Sequence, residues 1–83
     1  MRIINVLKTE RGIIEESYSF VINDETKSFD IIKAAEDKFI ELVGQEDDEL
    51  TEKDLYDCLD SCNYSNYDGV SIDIYFSDQV IEQ

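Results

Sequence analysis

Asp54, Asp57 and Asp60 recur every third residue within the stretch LTEKDLYDCLD. On a helix, residues three apart are neighbours, with Cβ atoms roughly 5–6 Å from one another. That spacing is close to the distance between successive phosphates along one nucleic-acid strand. Leu55, Cys58, Leu59 and Cys62 supply an apolar stripe at helical spacing, so the aspartates must face water. Glu46, Asp47, Asp48, Glu49 and Glu52 lie just upstream, with Asp68 and Asp73 downstream. Such a surface imitates the charge of a nucleic-acid backbone and would fit the basic groove of a nucleic-acid-binding protein. The simpler alternative is the solvated outer face of an amphipathic helix. Repulsion between like charges at this spacing costs a few tenths of a kcal/mol per pair, and a surface built only for stability would mix signs. Tyr56, Tyr64 and Tyr67 stand beside these acids. They are either interface anchors or rings that close the open end of a small core.

Other chemistries are poorly served. The chain has no histidine, which removes the usual general base near neutral pH and every Ser-His-Asp or Cys-His arrangement. The three glycines stand isolated at 12, 44 and 69, so no phosphate-cradling loop is present. A pair of carboxylates could run glycoside chemistry, but that needs a deep cleft, which a chain of this size rarely builds. The expectation is no catalytic residue and no cofactor. The segment from Tyr64 to Tyr75 resembles a calcium loop at Asn66, Asp68 and Gly69, yet Tyr64 and Tyr75 occupy the first and last ligand positions. No metal site is expected. Cys58 and Cys62 are four apart on one helix face, where a mutual disulfide would be strained. Free, buried thiols in a reducing compartment are expected.

The 83 residues carry 21 acidic and seven basic side chains, a net charge of −14. The imbalance lies in the second half, where residues 41–83 hold 13 acids and the single base Lys53. Direct binding to nucleic acid or to an anionic membrane is disfavoured by this charge. A basic protein surface is the partner it favours. The charge could equally serve solubility alone. There is no apolar stretch of the length a membrane span needs and no long apolar segment near the N-terminus, so a cytosolic location is expected.

These residues need elements to hold them. Residues 2–8 are rich in β-branched side chains, and 13–22 alternate, with Ile14, Tyr18, Phe20 and Ile22 on one parity. Thr9-Glu10-Arg11-Gly12 between them predicts a hairpin turn. After the polar connection NDETKS, with Asn23, Asp24 and Ser28 as possible caps, helical periodicity predicts a helix over 28–43 ended by Gly44. QEDDEL reads as a linker. Thr51, with Asp54 three residues on, predicts the start of a second helix over 51–62. NYSNYDG reads as a loop, and Val70, Ile72, Ile74 and Phe76 alternate as a third strand. The order predicts one α+β domain over 1–83, a two-layer ββααβ fold. Both helices would lie on one face of a three-stranded, mainly antiparallel sheet with the first strand at its centre. Residues 77–83 are expected to form a loose tail, with Val80 and Ile81 as its only apolar anchors.

MRIINVL, the TERG turn, LTEKDLYDCLD after a short acidic linker, and the closing GVSIDIYFSD together resemble a broad set of small acidic proteins. These are encoded by conjugative elements and phages of anaerobic gut bacteria. The resemblance is one of pattern across most of the chain, and it implies a mobile-element setting in which small acidic inhibitors of defence nucleases are common. It assigns no activity to any residue. The function expected is therefore a non-enzymatic protein-binding module. Its contact residues would be Glu46, Asp47, Asp48, Glu49, Glu52, Asp54, Tyr56, Asp57, Asp60, Tyr64, Tyr67 and Asp68. The alternative is a self-associating accessory protein, a homodimer through the sheet edge or open sheet face, with Ile3, Leu7 and Ile13 as contacts. A carboxylate hydrolase ranks third.

Overall fold

A computed structural model describes residues 2–78. Strands β1 (Arg2–Glu10) and β2 (Ile13–Ile22) form an antiparallel hairpin. Its two-residue turn, Arg11-Gly12, has positive φ at both positions, 52° and 83°, the geometry that matches the twist of the flanking strands. Glycine bears this without strain; Arg11 is a rarer occupant of the left-handed region. Strand β1 also pairs antiparallel with β4 (Val70–Ser77), and β4 pairs with β3 (Asn63–Ser65). The sheet therefore has four strands in the order β2-β1-β4-β3, with β1 inside as expected.

The fourth strand corrects the three-stranded expectation. β3 falls in the segment read as a loop. It is only three residues long with one apolar side chain, Tyr64, so it shows no alternation of its own; pairing with Ser71, Ile72 and Asp73 of β4 creates it. The Asp68-Gly69 turn signal was sound. Asn66 N–H donates to the Val70 carbonyl at 3.1 Å, and Gly69 (φ 83°) completes the reversal.

Helix α1 (Ser28–Glu46) runs one turn further than its periodicity predicts, and Gly44 sits inside it rather than ending it. The added turn is held by an ion pair between Glu46 and Lys8 of β1. The helix closes only at Asp47, whose N–H donates to the Val43 carbonyl at 3.0 Å. Asp24 caps the short 3-10 turn Glu25–Lys27 that leads into α1. Helix α2 (Glu52–Ser61) begins with the expected capping box. Thr51 Oγ1 accepts from Asp54 N–H at 3.1 Å, and Asp54 Oδ2 accepts from Thr51 N–H at 3.2 Å. Cys62 ends this helix in the left-handed conformation, φ 56°. Because Thr51 satisfies a donor that nothing else reaches, Thr51→Ala is expected to cost about 1 kcal/mol, read as a lower urea midpoint at unchanged slope.

The core lies between the sheet and the helices. Ile4 and Val6 of β1, Ile22 of β2, and Val70, Ile72 and Ile74 of β4 meet Ala35, Phe39, Leu42 and Val43 of α1. Leu55, Cys58, Leu59 and Cys62 of α2 pack against this cluster but are half-buried, so α2 is a lid on the core more than a part of it. On the opposite sheet face Asn5 is 0% exposed. Its Nδ2 donates to Ser77 Oγ at 2.8 Å and its Oδ1 accepts from Ser19 Oγ at 2.7 Å, which ties β2, β1 and β4 in register. Ile3 and Leu7 on that face are buried as well. They are therefore unavailable as the self-association contacts expected of them, and only Ile13 of that trio is exposed. Of the predicted tail, Ser77 belongs to β4 and Asp78 is exposed; the rest, with Val80 and Ile81, lies outside the described residues. Among the described residues no helix is long and apolar enough to cross a membrane.

Candidate functional site

The α1–α2 connection and the outer side of α2 bring most of the predicted contact residues onto one continuous stretch of surface. Asp48, Glu49, Glu52, Asp54, Tyr56, Asp57 and Asp60 are all exposed. The stripe of Leu55, Cys58, Leu59 and Cys62 fixes which side of α2 they occupy, because that stripe packs on the core. Each acid has a distinct local role. Asp47 Oδ1 accepts from Glu49 N–H at 3.2 Å and shapes the connection. Asp54 belongs to the helix cap, and the N–H of Thr51 bonded to its carboxylate holds it below the usual carboxylate range. Asp57 lies 3.4 Å from Lys53 in a pair that is largely solvated. Glu52 and Asp60 have no ion pair among the described residues.

The remaining cations are engaged elsewhere. Arg2 pairs with Glu25, Lys33 with Asp37 and Lys38 with Glu41. Lys38 also lies over the Tyr18 ring, 4.7 Å from its centroid. None of these partners belongs to the predicted acidic face. Only Glu46 and Asp57 of that set carry a salt bridge among the described residues.

Three expectations need correction. Tyr64 is 8% exposed and joins the core from β3. It closes the core and is not an exposed anchor, while Tyr56 and Tyr67 are exposed. Glu46 is half-buried against Lys8, so it is committed to the fold. Asp73 projects from the far sheet face, where Asn63 Nδ2 donates to it at 2.6 Å and Ser71 Oγ at 2.8 Å. It adds nothing to the α2 face. Asp68 is exposed in the β3–β4 turn. That turn is stitched to the hairpin turn by Arg11 N–H donating to the Gly69 carbonyl at 2.9 Å.

A group the sequence reading passed over sits near that stitch. Glu15 and Glu16 approach Lys8 at 3.7 and 3.8 Å, and Glu46 completes the ring around its ammonium. Composition placed Glu10, Glu15 and Glu16 in the nearly neutral half of the chain. The Arg11-Gly12 turn, which sets Lys8 opposite Glu16, was the available signal. A hydrogen bond to the neighbouring Glu10 carboxyl, followed by partial burial, pushes the Glu15 carboxyl above its ordinary value of 4.5. A carboxyl with a raised folded pKa costs stability once ionised. The cost is absent below 4.5 and grows as pH rises through the folded value. Glu15→Gln is accordingly expected to raise the urea midpoint at neutral pH and to leave it unchanged near pH ~3.

The thiols fit a structural role. Cys58 and Cys62 are free, and burial first, then Asp54 and Asp57, pushes the Cys58 thiol up, away from the reactive thiolate. Asn66 Oδ1 accepts from Asp68 and Val70 N–H groups at 3.0 and 3.2 Å, so the nearest likeness to a calcium loop is spent on turn formation. Among the described residues no cluster of three or more acidic or thiol side chains is arranged to hold a metal. Between α1 and α2 a hollow of about 60 Å³ is lined by apolar side chains, including Ile32, Leu59, Ile74 and Phe76, with Glu36 as its one carboxylate. It is several-fold smaller than the cavities that enclose small-molecule ligands.

Comparison with protein-family models, with curated proteins and with solved structures finds no match to this chain.

Proposed function

We propose that this protein is a non-enzymatic acidic binding module that presents Asp48, Glu49, Glu52, Asp57, Asp60 and Tyr56 to a basic partner surface. In this reading it acts inside the cell and stands in for a nucleic-acid backbone at the groove of a nucleic-acid-binding protein. The observation that carries it is the state of the acids on α2. They form an exposed row on one helix side, while Arg2, Lys8, Lys33 and Lys38 pair with carboxylates away from that row. Tyr56 adds an exposed aromatic beside the charges, the residue type that anchors interfaces. The likeness to small acidic proteins of mobile elements favours a nuclease-like target over other basic proteins.

The test is a competition titration. A sequence-nonspecific DNA-binding domain is loaded with a labelled DNA duplex, and this protein is added. Displacement of the duplex is expected, with affinity falling about 10–100-fold between ~50 and ~200 mM salt. Failure to displace the duplex at low salt, or an affinity indifferent to salt, would refute the mimic.

A further inference from the structure

We infer that β2 is a homodimer seam, joining two copies edge to edge into one continuous eight-stranded sheet. The two edges of this sheet differ. β3 is three residues long and is blunted by its brevity. β2 is ten residues long, has only β1 beside it in the sheet, and contains neither proline nor lysine. Proline, lysine and short length are the usual devices that keep an edge from recruiting another strand.

The residues of β2 also specify how a second copy would pair. Two identical antiparallel strands related by a twofold axis can only match residues of like parity, because opposed residues direct their N–H and C=O groups at each other together. Centring the axis on Ser17 sets Ile13 against Val21 of the second copy and Ile14 against Phe20. It sets Glu15 against Ser19 and Glu16 against Tyr18. Apolar side chains then meet apolar ones at both ends of the seam, and no two carboxylates oppose. Ile13 and Val21 are the apolar residues this strand leaves most open to water, 71% and 37% exposed, and this register covers each with the other. Moving the axis to Glu16 opposes two glutamates. Moving it to Tyr18 sets Glu15 against Val21 and Glu16 against Phe20. The Ser17 register is thus favoured by charge and by apolar matching at once. Lys38, held over the Tyr18 ring, lies beside the position that Glu16 of the second copy would reach. The seam is on β2 and leaves the α2 face free, so it stands independently of the binding reading above.

Light scattering across a dilution series from ~1 µM to ~1 mM should show the mass rise from 9.6 kDa toward twice that value. Added salt should strengthen the dimer by screening two copies of charge −14, the reverse of its effect on a basic partner. Ile13→Glu or Val21→Lys alone should weaken dimerisation about tenfold or more, and the two together should restore it, since each new acid then faces a new base. Both positions are solvent-facing in the protomer, so circular dichroism should stay unchanged. Register is read by cross-linking. Cα atoms opposed on an axis lie roughly 4.5–5.5 Å apart, within disulfide reach. Ser17→Cys should therefore form a dimeric disulfide on oxidation, and Ser19→Cys and the wild type should not. A monomer throughout the dilution series, a dimer indifferent to the Ile13 and Val21 substitutions, or cross-linking through Ser19→Cys in place of Ser17→Cys would overturn the assignment.

Discussion

Glu52→Gln, Asp57→Asn and Asp60→Asn combined are expected to weaken duplex-competitive binding to a basic domain by about 100-fold. Each removes one charge contact worth about 1 kcal/mol at a partly solvated interface. The fold should survive. Asp57 and Lys53 form an exposed pair, whose loss costs little. Removing like charges from one helix side also offsets the loss of a first-turn acid at Glu52. Asp54 is deliberately spared, because its carboxylate closes the capping box with Thr51 and its replacement would confound folding with binding. The control keeps net charge equal. Glu25→Gln, Asp30→Asn and Asp37→Asn remove the same three charges from exposed positions away from α2. A fall in affinity of only a few-fold is expected there, from the general field. Isothermal titration of both triple variants separates a located surface from diffuse charge. Equal losses in the two would mean that the α2 row has no special part.

Lys8→Met should be the most damaging single change of a charged residue, lowering stability by about 2 kcal/mol in urea unfolding. The value sits below that for breaking a fully buried pair because the site is partly open to water. The Lys8 side chain is 16% exposed and faces Glu15, Glu16 and Glu46. Methionine preserves its packing and leaves three carboxylates turned on one another, with Glu10 close by. The hydrogen bond to Glu46, and then attraction to that carboxylate and to Glu15 and Glu16, holds the Lys8 ammonium above its ordinary 10.5. Its contribution is therefore complete below 10.5 and is lost as pH climbs through the higher folded value. Wild type and Lys8→Met should differ fully at neutral pH and converge in strong alkali. A constant difference across that range would show that packing, not charge, is what Lys8 supplies.

Local signals predicted the hairpin, both helices, the Thr51–Asp54 cap and the central position of β1, because each is written in adjacent residues. The failures share one cause. β3 exists through its partner strand, and α1 outruns Gly44 because Lys8 anchors Glu46 from 38 positions earlier in the chain. Tyr64 went inward for the same reason, once β3 had formed. The acidic face was legible as a helix pattern, since Leu55, Cys58, Leu59 and Cys62 fixed its orientation. The carboxylates around Lys8 were not, because their meeting depends on hairpin register and helix length together.

The strand order β2-β1-β4-β3 has a consequence for a nascent chain. β1 and β2 leave the ribosome early, but the partner for the second side of β1 is not made until both helices have emerged. At about 5–20 residues per second, that interval lasts some 2–10 s. Throughout it Ile4 and Val6 await the strand that will cover them, and a chaperone that recognises bare β-hairpins has its opportunity before β4 closes the gap.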